Sequence, residues 1–230
     1  MLELKNYSNY ILEDINFKID NKNLIIVGDN GAGKTTLAKV LSGLIKSENV
    51  DLENKALNDT DYESRVKLVN YIPAKLDIFD DYISVKEYLE LSGIIDSKRV
   101  DEVLELFNIK NLKDQPCKFL SSGESQLVLL SSAILHNAKY TILDEPTSNL
   151  DPIKIQKVFA VLKDHSYMKN KIIITHNLNL AYKLGYDIIF IKDGKIKFQG
   201  ISSEFFTQKN LDTIYEGTVK KYEDNIVVDI

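Results

Sequence analysis

Residues 23–36 read NLIIVGDNGAGKTT, and this stretch sets the architecture of the chain. Its first five residues form an apolar run, which predicts a strand buried on both faces in a parallel sheet. Residues 28–35 match the pattern G-x-x-x-x-G-K-[ST] at every fixed position, and apolar residues recur at helical spacing from Thr35 to Leu44. A strand, a glycine loop and a helix in this order predict a loop that binds a nucleoside triphosphate, and they disfavour a chance glycine turn.

Each part of this loop has a physical task. Glycines let backbone N–H groups turn toward phosphate oxygens without a Cβ clash, and the helix that follows directs its positive end at the same oxygens. Lys34 can reach the β- and γ-phosphates, and the Thr35 hydroxyl can ligate Mg²⁺. The residues predicted to contact ATP in this loop are Asn30, Gly31, Ala32, Gly33, Lys34, Thr35 and Thr36. The loop alone does not distinguish kinases, GTPases and motor proteins.

A second buried strand ends in two acids, Asp144 and Glu145. Ligand sites of parallel α/β sheets lie at the carboxyl ends of the strands, so Asp144 is predicted to hold Mg²⁺, directly or through water. Glu145 points to the other side of the pleat and is predicted to polarise the attacking water. The alternative is an acidic strand end that is merely solvated, and the phosphate loop upstream disfavours it.

The remaining pattern predicts an α/β fold. Residues 12–19 alternate as in a half-buried strand, and residues 76–135 have mainly helical patterns, including a helix over 122–135. Buried strands are predicted at 140–143 and 171–175, and Asp193-Gly194 between two strand-like runs predicts a hairpin. Buried strands that alternate with helices imply a parallel sheet, with the helical insertion as a subdomain.

Composition narrows the function classes. The formal net charge is -5, which argues against a general nucleic-acid-binding surface. The single cysteine, Cys117, excludes an intrachain disulfide, and we interpret it as a small packing residue. The N-terminus MLELKNYSNY has no apolar signal core, and no run of 18 apolar residues occurs, so we expect membrane association only through a partner.

Three further motifs accompany the phosphate loop and the acidic pair Asp144-Glu145. Residues 120–124 read LSSGE, residues 148–151 read SNLD, and Thr175-His176 ends the next strand. Together with the phosphate loop and the acidic pair, they resemble the signature, D-loop and switch histidine of the ABC (ATP-binding cassette) ATPases over residues 2–200. The resemblance implies a P-loop NTPase, RecA-like core with an antiparallel β subdomain and an inserted α-helical subdomain. The core would comprise residues 1–74 and 136–230, and the helical subdomain residues 75–135.

The resemblance also implies how ATP is bound and hydrolysed. Two chains of this family pair head to tail, so Ser121, Ser122 and Gly123 of one copy would close over the ATP held by the other. His176 would contact the γ-phosphate and the attacking water, which makes Lys34, Glu145 and His176 the expected catalytic residues. An aromatic residue upstream of the phosphate loop stacks on adenine in this family. Tyr10 is the first candidate and Tyr7 the alternative.

Three positions depart from the family pattern. Ala74 stands where a glutamine is usual, and alanine can neither ligate Mg²⁺ nor bond to water. Ser122 replaces the first glycine of the signature pair, and Glu124 replaces the usual glutamine, which is a common variation. Because the main catalytic groups are all present, we expect an active but slow ATPase.

The C-terminal part suggests which transporter the ATPase serves. Residues 205–215 and the strand-like residues 225–230 resemble the tail of importer ATPases for iron-siderophore, haem and cobalamin. The alternatives are the ATPase of an exporter of a drug, peptide or lipid, and a soluble ABC ATPase outside transport. The implied partners are transmembrane permease subunits, a second copy or a paralogue, and a substrate-binding protein that acts through the permease. No nucleic acid is expected, and the expected location is the cytoplasmic face of the cell membrane.

Overall fold

The computed structural model describes residues 1–78, 80–91, 93 and 97–228. The chain divides into two compact units. The first comprises Met1–Asp61 and Asn170–Ile230, and the second comprises Tyr62–Lys169.

The elements follow one another in the order strand-rich, helix-rich, strand-rich. The N-terminal part of the first unit contains β1 (Leu2–Tyr7), β2 (Ile15–Ile19), β3 (Leu24–Gly28), α1 (Lys34–Leu41), β4 (Val50–Leu52) and β5 (Lys55–Ala56). The second unit contains α2 (Tyr62–Leu68), β6 (Val69–Ile72), α3 (Val85–Glu90), α4 (Ser97–Leu106), α5 (Ser122–His136), β7 (Tyr140–Asp144) and α6 (Pro152–Lys163). The C-terminal part of the first unit contains β8 (Asn170–Ile174), α7 (Leu178–Leu184), β9 (Asp187–Lys192), β10 (Lys195–Gly200), α8 (Ser202–Phe205), α9 (Gln208–Tyr215), β11 (Val219–Tyr222) and β12 (Asn225–Val228).

The first unit contains two kinds of sheet. Strands β2, β1, β4 and β5 pair antiparallel in that order, as the alternation along residues 15–19 requires for a sheet with one buried face. Strand β3 lies between β8 and β9 and is parallel to both, with Ile25 opposite Ile173 and Ile188. All five residues of β3 are buried, as expected for a parallel strand covered on both faces. The carboxyl end of β3 therefore places the glycine loop at one edge of a rigid sheet.

The second unit is built around α5 and a parallel strand pair. Strand β6 pairs with β7, and Tyr71 lies opposite Ile142. Helix α5 contacts α3, α4 and β6, and its residues 126–131 are all buried. A helix that is apolar around its whole circumference belongs inside a core. Its N-terminal end carries the residues 121–123 singled out above.

The structure confirms most predicted elements and corrects two boundaries. The buried strands, the helix that starts at Ser122 and the hairpin around Asp193-Gly194 are present. The strand predicted from Leu12 begins only at Ile15, because residues 9–12 form a turn in which the Asn9 carboxamide accepts two backbone N–H groups. The first helix ends at Leu41 instead of Leu44, because Gly43 adopts φ +75° and stops it. Residues 76–135 contain loops and short turns between the helices, and residues 79, 92 and 94–96 of this stretch lie outside the described part, as do 229 and 230 of the predicted terminal strand.

In the described part of the chain, no helix has both the length and the apolar character needed to cross a membrane.

Candidate functional site

The glycine loop between β3 and α1 is shaped by two close approaches. A Cβ on Gly28 would collide with the backbone oxygen of Ile191 on β9. Gly33 adopts φ +97°, and a Cβ there would lie 2.5 Å from Leu12 Cδ2 and 2.9 Å from Ile11 Cγ2. The Lys34 ammonium donates to the carbonyl oxygens of Gly28 and Asp29, at 2.7 and 2.8 Å. These bonds connect the end of the loop to its beginning. These contacts give a compact anion-binding turn at the start of a helix.

The contact between Gly33 and residues 11–12 brings the aromatic candidates beside this loop. The Asn9 side chain accepts hydrogen bonds from the N–H groups of Ile11 and Leu12, at 2.8 and 2.7 Å, and this turn presents Tyr10 at its tip. Tyr10 is 90% exposed, whereas Tyr7 is buried and its hydroxyl accepts from Asn9 Nδ2 at 3.1 Å. Tyr10 is therefore the ring that is available to a ligand, while Tyr7 serves packing.

His176 lies in the same unit and faces the phosphate loop. A cavity of about 220 Å³ is lined by Gly28, Asp29, Asn30, His176, Leu178 and Tyr215. His176 is exposed and lies between the end of β8 and the cap of α7, where Asn177 accepts from Leu180 N–H at 2.9 Å. Two rigid elements therefore fix its position relative to Asn30. The structure thus brings together His176 and the loop predicted to bind phosphates.

Tyr215, at the end of α9, also lines this cavity, and no motif in the sequence marks it. Its ring packs edge-on against Phe190 with the centroids 5.7 Å apart. Burial and the nearby Asp29 carboxylate raise the pKa of Tyr215, so its hydroxyl stays protonated at neutral pH. The C-terminal segment therefore contributes to the surroundings of the phosphate loop.

In the second unit, Asp144 ends β7 with its carboxylate buried and only 3% exposed. The hydroxyl of Tyr71, on β6, donates to Asp144 Oδ2 at 3.1 Å. Burial and the Asp144 charge raise the pKa of Tyr71, which keeps the phenol a donor. Sequence reasoning missed Tyr71, since no motif marks it.

Glu145, the second acid, has an unusual backbone. Its φ is +49°, in the left-handed region that non-glycine residues rarely adopt. The turn is closed by a hydrogen bond from Ser148 N–H to the Glu145 carbonyl, 3.0 Å long, and Asn149 is also left-handed at φ +61°. Such backbone strain outside the regular strand is typical of functional positions.

The signature residues form the N-terminal end of α5. Ser121 caps the helix in a capping box with Glu124, whose Oε2 accepts from the Ser121 N–H at 2.8 Å and hydroxyl at 2.7 Å. These bonds hold the pKa of Glu124 below its usual value. Ser122 is exposed, so the Cβ that it has in place of the usual glycine meets no crowding within the chain. Gly123 is buried, and a Cβ added there would lie 3.1 Å from the Asn149 backbone oxygen. The capping box explains why glutamate suits position 124.

Ala74 lines a cavity of about 340 Å³ in the second unit together with Lys75, Leu76, Ser122, Ser125, Gln126 and Asn149. The structure thus connects three of the motif segments, namely the loop after β6, the signature and the D-loop. Gln126 is buried and its Nε2 has no hydrogen-bond partner. The described residues contain no cluster of three or more His, Cys, Asp or Glu that could hold a metal.

The match to known proteins decides the family. The ABC transporter family profile matches residues 12–148. The chain belongs to the ABC transporter family. It is 30% identical over 252 aligned positions to a "Probable iron chelatin transport ATP-binding protein" of Helicobacter pylori strain J99, with 99% of this chain and 98% of the relative covered. It is 31% identical to a "Probable ABC transporter ATP-binding protein PEB1C" of Campylobacter jejuni, with 90% and 93% covered.

A solved structure of this ABC family matches the fold at useful identity. It is the dimeric post-hydrolysis state of the ATP-binding cassette MJ0796 bound to ADP and Pi, which is 25% identical with a TM-score of 0.77, covering 88% of this chain and 99% of that one. The predicted family, the α/β P-loop fold and the class of ABC ATP hydrolase are therefore confirmed.

Proposed function

We propose that this chain is the ATP-hydrolysing subunit of an ABC importer for a metal chelate of the iron-siderophore, haem or cobalamin type. The observation that carries the ATPase part is the cavity in which His176 faces Gly28–Asn30 of the phosphate loop. A loop of this type binds triphosphates, and a histidine at its open side is suited to contact the terminal phosphate. ATP is thus proposed to bind along residues 30–36, with its adenine on Tyr10.

The residues assigned to Mg²⁺ fit that ion by their chemistry. Mg²⁺ prefers hard oxygen ligands, keeps several waters and is usually held by one or two carboxylates together with substrate phosphates. The buried Asp144 carboxylate and the Thr35 hydroxyl supply such oxygens, and the described residues hold no larger acidic cluster that would suit a metal cage. When bound, Mg²⁺ would neutralise charge on the β- and γ-phosphates.

The proton chemistry is assigned to Glu145 and His176. Glu145 is proposed to orient the attacking water and accept its proton, because its strained turn places it immediately after the Asp144 that serves the metal. His176 would contact both the γ-phosphate and the same water, and Lys34 would stabilise the negative charge on the β- and γ-phosphates. We propose that hydrolysis needs all three.

The ATP site is proposed to be completed by a second copy of the chain or by a paralogue. Ser121, Ser122 and Gly123 lie at the start of α5, a helix of 15 residues, where backbone N–H groups and the helix dipole favour an anion. The exposed positions of Ser121 and Ser122 leave them open to a partner. The dimeric arrangement of the MJ0796 cassette with ADP and Pi supports the same assembly here.

The transport part of the proposal concerns partners outside this chain. Permease subunits would bind the ATPase at the cytoplasmic face of the cell membrane, and a substrate-binding protein would act through them. The Helicobacter pylori relative, named for iron chelatin transport and aligned over nearly the whole of both chains, supports an iron chelate as the transported substance.

Two experiments test the proposal. Phosphate release by the purified chain is compared with that of Glu145→Gln, and we expect a loss of 100-fold or more, on the order of a general-base contribution. Equal rates would refute the assignment. For direction, the ATPase is reconstituted in liposomes with the membrane protein that co-purifies, and ATP is added outside. With an iron-siderophore present on both sides of the membrane, an importer moves it out of the lumen toward the ATPase side, and net accumulation in the lumen would show an exporter.

A further inference from the structure

The strand β6 carries a tyrosine whose hydroxyl contacts the proposed metal carboxylate. Tyr71 pairs with Ile142 in the parallel β6–β7 register, and Asp144 lies two residues beyond Ile142 on the same face of β7. A long side chain can span this diagonal, and the Tyr71 hydroxyl donates to Asp144 Oδ2 at 3.1 Å. The contact is therefore a consequence of strand register and lies inside one compact unit.

The chemistry of this contact is compatible with cation binding by Asp144. A carboxylate has two oxygens with several lone pairs, so it can accept from a phenol with one oxygen and bind a metal with the other. A donor that fixes the carboxylate rotamer prepares it for its ligand, as second-layer hydrogen bonds do in metal sites.

We propose that Tyr71 is a positioning residue that holds the Asp144 carboxylate for Mg²⁺. This inference rests on the proposed function, because it takes Asp144 as a metal ligand. It predicts that metal affinity depends on the tyrosine hydroxyl.

Metal binding tests the inference without relying on turnover. Electron paramagnetic resonance measures free Mn²⁺ as it is titrated into the chain with a non-hydrolysable ATP analogue. Tyr71→Phe removes only the hydroxyl, and we expect Mn²⁺ to bind about tenfold more weakly, the lower end for loss of such a supporting hydrogen bond. Binding of the analogue in EDTA should change less than twofold, which shows that the variant is folded.

Tyr88→Phe is the matched control. Tyr88 is also a partly buried tyrosine of the second unit, and its hydroxyl is hydrogen-bonded to the uncharged Ser132. Mn²⁺ affinity should stay within twofold of wild type in this variant. An equal loss in both variants, or no loss in Tyr71→Phe, would overturn the inference while leaving the proposed function intact. A wild-type chain that does not bind Mn²⁺ with the analogue would refute both.

Discussion

Replacing Tyr10 by alanine should weaken ATP binding and leave folding unchanged. The side chain is 90% exposed, so its removal takes almost no apolar area out of the folded core. The turn that carries it is held by the Asn9 carboxamide and by packing of residues 11–12 on Gly33, and none of these contacts uses the Tyr10 ring. The whole effect should therefore fall on the ligand.

The magnitude follows from stacking of an aromatic ring on a base, which contributes about 1–3 kcal/mol per base. Tyr10→Ala should thus raise the Kd for ATP by a factor between about 5 and 150, while Tyr10→Phe stays within about twofold of wild type because the π-face is kept. Tyr222→Ala is the control, since Tyr222 is 67% exposed and lies on β11 away from the loop.

The chain offers an unusually clean assay for this effect. It contains no tryptophan, so Tyr10→Trp introduces a single fluorophore at the proposed adenine position. ATP should quench or shift its emission, and titration calorimetry should give a Kd no weaker than that of wild type. A Tyr10→Ala chain that binds ATP as tightly as wild type, or a Tyr10→Trp emission that ATP leaves unchanged, would refute the stacking role.

Three further predictions concern the signature, the glycine loop and the cysteine. Ser121→Ala and Ser84→Ala each remove a capping box and should each lower the free energy of unfolding by about 1 kcal/mol in urea titrations, but only Ser121→Ala should also lower ATPase activity; equal activity losses would contradict the signature role. Gly33→Ala should destabilise the chain by at least about 1 kcal/mol more than Gly185→Ala, because both glycines have positive φ but only Gly33 has a side-chain neighbour within 3 Å of an added Cβ; equal urea midpoints would show that the Leu12 contact is soft. Burial raises the pKa of Cys117 to about 11, so its thiolate is scarce at pH 8 and alkylation by iodoacetamide should accelerate about tenfold per pH unit up to pH 10; a rate at pH 8 equal to that of glutathione would contradict this environment.

Most of the fold and of the candidate site could be predicted from local sequence motifs. Residues 23–36 predicted a strand, a loop and the start of a helix correctly, because each fixed position of the loop requires a glycine conformation or suits a phosphate contact. The helix beginning at Ser122 was also predicted, and the capping box between Ser121 and Glu124 gives the reason.

Contacts between distant segments could not be predicted in this way. The start of β2 was placed three residues early, because alternation along residues 12–14 hides the turn that Asn9 imposes. Tyr10 and Tyr7 have the same residue type and nearly the same position, and only burial separates them. Tyr71 reaches Asp144 through strand register, and Tyr215 reaches the phosphate loop from the far end of the chain, so neither leaves a signal in the local pattern.

Mixing two inactive variants tests the shared ATP site most directly. Lys34→Ala removes the lysine that is proposed to bind the phosphates. Ser122→Asp places a negative charge at the signature, and a carboxylate at a helix N-terminus keeps the fold stable. If ATP is closed over by the signature of a second copy, each mixed pair retains one complete site. The mixture should then recover up to about a quarter of wild-type phosphate release, since about half of random pairs are mixed. A mixture no more active than either variant alone would contradict the account.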